Sequence, residues 1–190
     1  MYQPTDDNIG EIQFASAVDA IIFSEEWAYA TTASPGIFAK LLSKPGSGRL
    51  DRQDMIDIGH TISIIMAQAG PYRGDLLRCL YSPVWSQSTA RTVAEVVAQQ
   101  LYATDVGKTK PNDKIINLAH IVLKSERRRE LQGKAYNLRL MASNIPIHRS
   151  QLYRGDWMEL LSSATETVQA WAQQGIRYMD IQLQERGWLK

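Results

Sequence analysis

Apolar residues recur every three or four positions along most of the chain, which is the spacing that places them on one face of an α-helix. Met55, Ile58, Ile62 and Ile65, for example, share a face. The same spacing predicts helices over 11–29, 36–42, 51–69, 75–81, 87–102, 113–132, 134–144, 148–154, 157–174 and 176–186. No long alternation of apolar and polar residues indicates a strand. The sequence therefore predicts an all-α fold, a bundle of many helices.

Glycine, proline and capping residues place the expected ends of several helices. Ser86 is a suitable N-cap for the helix that follows it. Gly70 and Pro71 end the long helix before them. Gly175 is expected to divide the C-terminal apolar pattern into two helices, and residues 106–111, VGKTKP, are expected to form a polar loop.

Charge is distributed unevenly, although the net charge is only +1. Residues 1–70 carry four basic and nine acidic side chains, whereas the remainder carries 17 basic and 11 acidic ones. Within 120–155 there are eight basic and two acidic residues. A basic segment joined to an acidic one indicates different partners for the two parts. The alternative is a chance charge dipole without functional meaning.

Membrane insertion and secretion are not expected for this chain. No apolar run approaches the roughly 18 residues that span a bilayer. The first residues include acids and no basic stretch, so they do not read as a secretory signal. Cys79 is the only cysteine, so no internal disulfide can form. These features predict a cytoplasmic protein.

Motifs of catalysis and metal binding are scarce, so we expect no enzyme, no cofactor and no small-molecule ligand. The glycines of PGSGR at 45–49 lack the lysine of a phosphate-binding loop. His60 and His120 lie in apolar helical stretches, far in sequence from each other and from Cys79, and are expected to be core or boundary residues rather than metal ligands. Cys79 itself is expected to be a buried apolar residue.

Residues 141–157, MASNIPIHRSQLYRGDW, predict two short helices joined by a tight turn. Ala142 is small enough for a helix crossing, and Ile145, Ile147 and Leu152 can enter the core on either side of the turn. The second helix would then expose six polar or cationic residues: His148, Arg149, Ser150, Gln151, Tyr153 and Arg154.

An exposed helix of this composition can enter the major groove of DNA, which is wide enough to admit it. Arg149 can read guanine and Gln151 adenine through paired hydrogen bonds, whereas Ser150, Tyr153 and Arg154 suit phosphate contacts. The alternative is a structural corner of an all-α core, with its arginines simply solvated.

The turn between the two helices departs from the usual pattern at two positions. Pro146 stands where glycine is common, so Asn144 is expected to supply a left-handed residue instead. His148 replaces the usual hydroxyl N-cap and is expected to cap the second helix only weakly.

A basic run at 124–129 precedes the corner and fits the same interpretation. Arg127, Arg128 and the nearby Lys134 are predicted to lie along the phosphate backbone of DNA. Each phosphate that they neutralise would release counterions and steepen the salt dependence of binding. The alternative is an ordinary exposed helix end.

The pattern AxxxxIxRSxLYR resembles the helix-turn-helix of many bacterial and phage DNA-binding proteins. It is formed by Ala142, Ile147, Arg149, Ser150, Leu152, Tyr153 and Arg154. With its nearly all-helical pattern, the chain resembles the phage Q-type transcription antitermination factors and their AlpA-type bacterial relative, which carry a helix-turn-helix like that of sigma region 4. The resemblance covers about a third of the chain.

This resemblance implies a protein that binds double-stranded DNA near a promoter, loads onto RNA polymerase (core and sigma factor) and promotes read-through of terminators. Residues 1–112 would form a helical body that contacts polymerase, and 113–190 would form the DNA-binding part. Two alternatives remain open: a conventional helix-turn-helix regulator or small terminase-like DNA-packaging subunit, and an all-α interaction module that does not bind DNA.

Overall fold

The computed structural model describes residues 13–32, 52–145, 147–153 and 155–189, and it describes the backbone but not the side chains of 30–32, 52 and 149. The described residues form helices and a single isolated bridge, between Phe14 and Leu189, so the predicted all-α fold is confirmed. The helices are α1 Ala17–Thr32, α2 Arg52–Gln68, α3 Arg73–Tyr81, α4 Gln87–Tyr102, α5 Asp105–Lys108, α6 Asn112–Gln132, α7 Leu138–Asn144, α8 Arg149–Leu152 and α9 Asp156–Glu185. The helix predicted over 36–42 lies outside the described residues.

The chain forms two compact units. The first contains the residues up to Val84 together with those from Gln174 onward, and the second contains Trp85–Gln173. The sequence predicts a division between residues 112 and 113, with a polymerase-contacting part before it and a DNA-binding part after it. This position falls within the second unit, at the beginning of α6.

The first unit is built on α1, α2 and α3, which pack on one another. Ile21, Ile58 and Leu77 are completely buried at this packing. The Ser24 hydroxyl donates a 2.8 Å hydrogen bond to the carbonyl of Gly59 and so joins α1 to α2. Ile58 is one of the apolar positions that share a predicted helical face.

Gly175 does not break the C-terminal apolar pattern, so the prediction of two helices there is wrong. The helix α9 runs without interruption for 30 residues. A Cβ atom at Gly175 would lie 3.1 Å from Leu77 Cδ1, so the glycine provides room for close packing within the first unit. This packing outweighs the roughly 1 kcal/mol by which glycine disfavours a helix. No helix in the described part of the chain is both long and apolar enough to cross a membrane.

The second unit has α4 and α6 at its centre, with Val93, Val97 and Leu118 fully buried. Ser86 caps α4 as predicted, because its Oγ accepts a 3.3 Å hydrogen bond from the backbone N–H of Thr89. The predicted loop over 106–111 is partly wrong, since the single turn of α5 overlaps it. Thr104 caps that turn through Oγ1, an N-cap that the sequence analysis missed.

Candidate nucleic-acid interface

The corner predicted over 141–157 contains α7 and α8, and both helices are shorter than expected. Helix α7 begins at Leu138 rather than Lys134 because Asn137 caps it, with Oδ1 accepting from the N–H of Leu140 at 2.9 Å. Helix α8 consists of the single turn Arg149–Leu152. We call residues 138–154 the corner.

The apolar residues of the corner lie where the sequence predicts them. Ala142, Ile145 and Leu152 are buried, and Ile147 is partly buried. Met141, which was not singled out, is buried as well. The corner is therefore attached to the body of the second unit by apolar contacts, which leaves its polar residues at the surface.

The turn is made by an extended residue, and the prediction of a left-handed Asn144 is wrong. Ile145 ends α7 with φ −103° and ψ 130°. Tyr72 is the one non-glycine residue with positive φ in the described part of the chain. Asn144 instead remains in the helix, and its Nδ2 donates to the carbonyl of Leu140 at 2.8 Å. An extended Ile145 thus ends the helix without left-handed strain.

His148 caps α8 through its imidazole, at the N-cap position that the sequence assigns to it. Its Nδ1 accepts a hydrogen bond from the backbone N–H of Ser150 at 3.3 Å and lies 2.6 Å from the Ser150 hydroxyl. In return, Gln151 Oε1 accepts from the backbone N–H of His148 at 3.1 Å. This reciprocal arrangement is a capping box in which an imidazole replaces the usual hydroxyl. Because a backbone N–H can only donate, this bond requires the tautomer of His148 whose Nδ1 carries no proton.

Four of the six corner residues predicted to bind DNA are exposed together: His148, Ser150, Gln151 and Tyr153. Arg149 lies in α8, but its side chain is outside the described atoms, and Arg154 is outside the described residues. The cap restricts one predicted role. Gln151 Oε1 already accepts one hydrogen bond within the cap, so paired hydrogen bonds to adenine would have to use its second lone pair in the orientation that the cap fixes.

The basic run at 124–129 is organised around an aromatic ring that the sequence analysis did not assign to it. His120, Lys124 and Arg127 follow one another at helical spacing on α6, and all three approach Trp85. Lys124 Nζ lies 5.8 Å and Arg127 Cζ 5.7 Å from the centroid of the Trp85 ring. The His120 ring centroid lies 5.8 Å from the same ring. Cations this close to an indole face are attracted by its quadrupole.

A second cation–aromatic pair involves Arg128, the residue that follows Arg127 on α6. Arg128 Cζ lies 5.3 Å from the centroid of the Tyr136 ring, and Arg128 Nε donates to Gln132 Oε1 at 3.2 Å. The backbone N–H of Tyr136 donates to the hydroxyl of the fully buried Ser125 at 2.9 Å. That bond holds the segment carrying Tyr136 against α6.

The two pairs border an open groove of about 410 Å³. We call it the Trp85–Tyr136 groove. It is lined by Trp85, Lys124, Arg127, Arg128, Leu131, Gln132 and Tyr136. Arg127 and Arg128, two of the three residues outside the corner that were predicted to contact phosphate, therefore lie together here. The third, Lys134, is exposed in the segment after Gly133, which ends α6 with φ +68°.

One acid within the basic run is buried. Glu126 is 4% exposed, pairs with Arg129 and accepts a 3.1 Å hydrogen bond from Gln169 Nε2. Desolvation raises the pKa of Glu126 above its ordinary value even though Gln169 and Arg129 both stabilise the carboxylate. Arg129 also approaches Glu130 at 3.8 Å. The Arg129 charge therefore lies beside one buried acid, Glu126, and one exposed acid, Glu130.

The histidines and the cysteine differ in how well they were predicted. Cys79 is buried, as expected, whereas His60 is exposed, so its assignment to the core or its boundary is wrong. His120 is half-buried, and burial together with the Lys124 charge lowers its pKa. Among the described residues no three His, Cys, Asp or Glu side chains are grouped so as to hold a metal ion.

Neither a family model, nor a curated protein, nor a solved structure matches this chain.

Proposed function

We propose that this chain is a DNA-binding transcription antitermination factor, which acts in the cytoplasm and loads onto RNA polymerase near a promoter. The observation that carries the proposal is the corner itself, where apolar residues face inward and the capped α8 leaves His148, Ser150, Gln151 and Tyr153 exposed. Such a surface on a basic segment is suited to a DNA groove.

The capping box gives the proposed contact a defined geometry. Because His148 Nδ1 accepts the N–H of Ser150, a neutral imidazole carries its proton on Nε2, where it can serve as a hydrogen-bond donor to a base edge or phosphate. The cap also fixes the start of α8 before DNA arrives, which lowers the ordering entropy of binding. Because α8 is a single helical turn, it can present few residues to base edges, so we assign most of the DNA affinity to phosphate contacts. We assign base reading to Arg149.

The proposal that the chain loads onto polymerase is based on the residues outside the corner. A corner of 17 residues leaves most of the 190 residues to other partners, and the acidic N-terminal third differs in charge from the basic segment. We assign the polymerase contacts to the part of the chain before residue 113, in accordance with the resemblance to Q-type and AlpA-type factors.

Addition of the full chain to a transcription reaction with its own upstream DNA, polymerase and a downstream terminator is expected to increase read-through. Arg149→Ala is expected to reduce that increase. Arg91→Ala is the matched control, because Arg91 is an exposed arginine of the same unit and pairs only at the surface with Glu95. The ratio of read-through to terminated RNA is the quantity measured.

Unchanged read-through with the wild-type chain on that template contradicts antitermination. A footprint that forms equally well without polymerase, on a paired site and with a stable dimer, identifies a conventional regulator instead. A stable ring identifies the packaging alternative, and absence of any DNA binding identifies a structural corner.

A further inference from the structure

We infer that the Trp85–Tyr136 groove binds an unpaired nucleotide of a single-stranded nucleic acid, at a site separate from the proposed duplex contact of the corner. The inference depends on the residues of the groove alone and not on the proposed function. The two aromatic rings of the groove, its cations and its size each restrict which ligand can bind there.

The rings favour an unpaired base. Trp85 and Tyr136 are both partly exposed and both line the groove. Bases within a duplex are stacked on one another and offer only their edges, whereas an unpaired base offers its flat face to an aromatic ring. Stacking of this kind tolerates any base, so the site is expected to have little sequence preference.

The cations favour the phosphate that accompanies such a base. Arg127 and Arg128 lie over the Trp85 and Tyr136 rings, at 5.7 and 5.3 Å from the respective centroids. Arg128 donates through Nε to Gln132 Oε1, and its terminal N–H groups are donors of the kind that phosphate accepts in pairs. A base can in turn stack on the guanidinium plane or on a ring. Lys124 adds a third positive charge beside Trp85.

The groove is held in shape before any ligand binds. Trp85 Nε1 donates to Gln87 Oε1 at 3.1 Å, and the N–H of Tyr136 is bonded to the buried Ser125. Its volume of about 410 Å³ is within the range of about 300–1,000 Å³ that small-ligand sites occupy. That space accommodates one nucleotide and its phosphates rather than a double helix. An acidic peptide would use the cations but not the rings, so a nucleotide fits better.

The test compares dissociation constants for labelled single strands of about 12 nucleotides, as RNA and as DNA, with that for a duplex. Trp85→Leu and Tyr136→Leu are each expected to weaken single-strand binding about 5- to 150-fold, the effect of losing one stacked base. Trp85→Phe and Tyr136→Phe should restore most of it because they keep a ring. Arg128→Gln should weaken binding, whereas the matched Arg91→Gln should not. Binding of either RNA or DNA supports the inference.

The reciprocal variants separate this inference from the proposed function. Arg149→Ala should weaken duplex binding and leave single-strand binding unchanged, whereas Trp85→Leu should do the reverse. Thermal unfolding of each variant checks that the second unit remains folded, and the phenylalanine variants test the inference even if the leucine variants unfold. Equal single-strand affinity for the leucine and phenylalanine variants overturns the inference. So does displacement of the oligonucleotide by polyglutamate at the same charge concentration, which indicates a site for any polyanion or for an acidic peptide.

Discussion

Alanine at position 107 is expected to destabilise the second unit by about 3 kcal/mol, at the upper end of what overpacking a core commonly does. Gly107 is buried in the single turn of α5. A Cβ atom there would lie 1.9 Å from the carbonyl oxygen of Leu101 and 2.7 Å from its carbonyl carbon. These are backbone atoms of a residue that is fully buried in α4, so they cannot rotate away. Relief would move α5 and weaken the 2.6 Å bond from Thr104 Oγ1 to the same carbonyl.

Lys108→Ala is the control for Gly107→Ala, because it changes the adjacent, exposed residue of the same turn. Its effect should stay within about 0.5 kcal/mol, as for most surface substitutions. Urea unfolding followed by tryptophan fluorescence measures both variants. Equal unfolding midpoints for the two would show that the close approach of α5 to Leu101 is absent in solution.

Loss of Arg129 is expected to destabilise the second unit by about 1–3 kcal/mol in Arg129→Met, because the carboxylate of Glu126 would lose its counter-charge while remaining buried. The side chain of Arg129 is 39% exposed and that of Glu126 is 6% exposed. Solvent screening of the arginine therefore places the effect below that of a fully buried pair. Methionine keeps the apolar stem, so the loss reports charge rather than packing.

The pH dependence of this effect has a definite sign. Burial raises the pKa of Glu126 above its ordinary 4.5, so the contribution of this group to stability falls as pH rises from about 4.5 through the raised pKa. Without Arg129 that pKa rises further. The destabilisation in Arg129→Met should therefore be full near neutral pH and smaller below about pH 4.5, where Glu126 is protonated in both folded and unfolded chains.

Glu126→Gln supplies the rescue for the Arg129 variant. A glutamine can still hydrogen-bond to Gln169 but has no charge to bury, so the double variant should recover most of the stability lost near neutral pH. Arg91→Met, at an exposed pair, should change stability by less than about 0.5 kcal/mol. A loss in Arg129→Met that is independent of pH, or that Glu126→Gln does not reduce, contradicts the role of Arg129 as the counter-charge.

Helical spacing predicts most elements of the fold because each amphipathic helix buries its apolar stripe. Helix α4 has the predicted bounds since Ser86 marks its start and its buried residues repeat at helical spacing. The failure at Gly175 has a tertiary cause. The contact with Leu77 joins residues about a hundred positions apart, and local sequence carries no signal of it.

The candidate site can be predicted only in part from the sequence, because some of its contacts also join residues that are distant in sequence. The corner is local, so its buried residues could be predicted from their spacing. The groove is not local, since Trp85 precedes α4 whereas Arg127 and Arg128 lie near the end of α6. A charge run also does not reveal which of its members face inward, and Glu126 is distinguished only by the packing around it. His148 acts as a cap because Ser150 and Gln151 follow it at the spacing that a reciprocal cap requires, and this spacing is visible in the sequence.

The most direct test of the central claim, that the corner binds duplex DNA, is the salt dependence of duplex affinity measured by fluorescence anisotropy. The logarithm of the association constant should fall linearly with the logarithm of salt concentration, by about 0.9 per phosphate contacted. Lys134→Ala should reduce that slope by about one, and Arg149→Ala should weaken binding to a selected sequence by about 1–3 kcal/mol with relaxed specificity. Arg91→Ala should match the wild-type chain. Duplex binding that is unaffected by both Arg149→Ala and Lys134→Ala, or no duplex binding at low salt, would contradict the account.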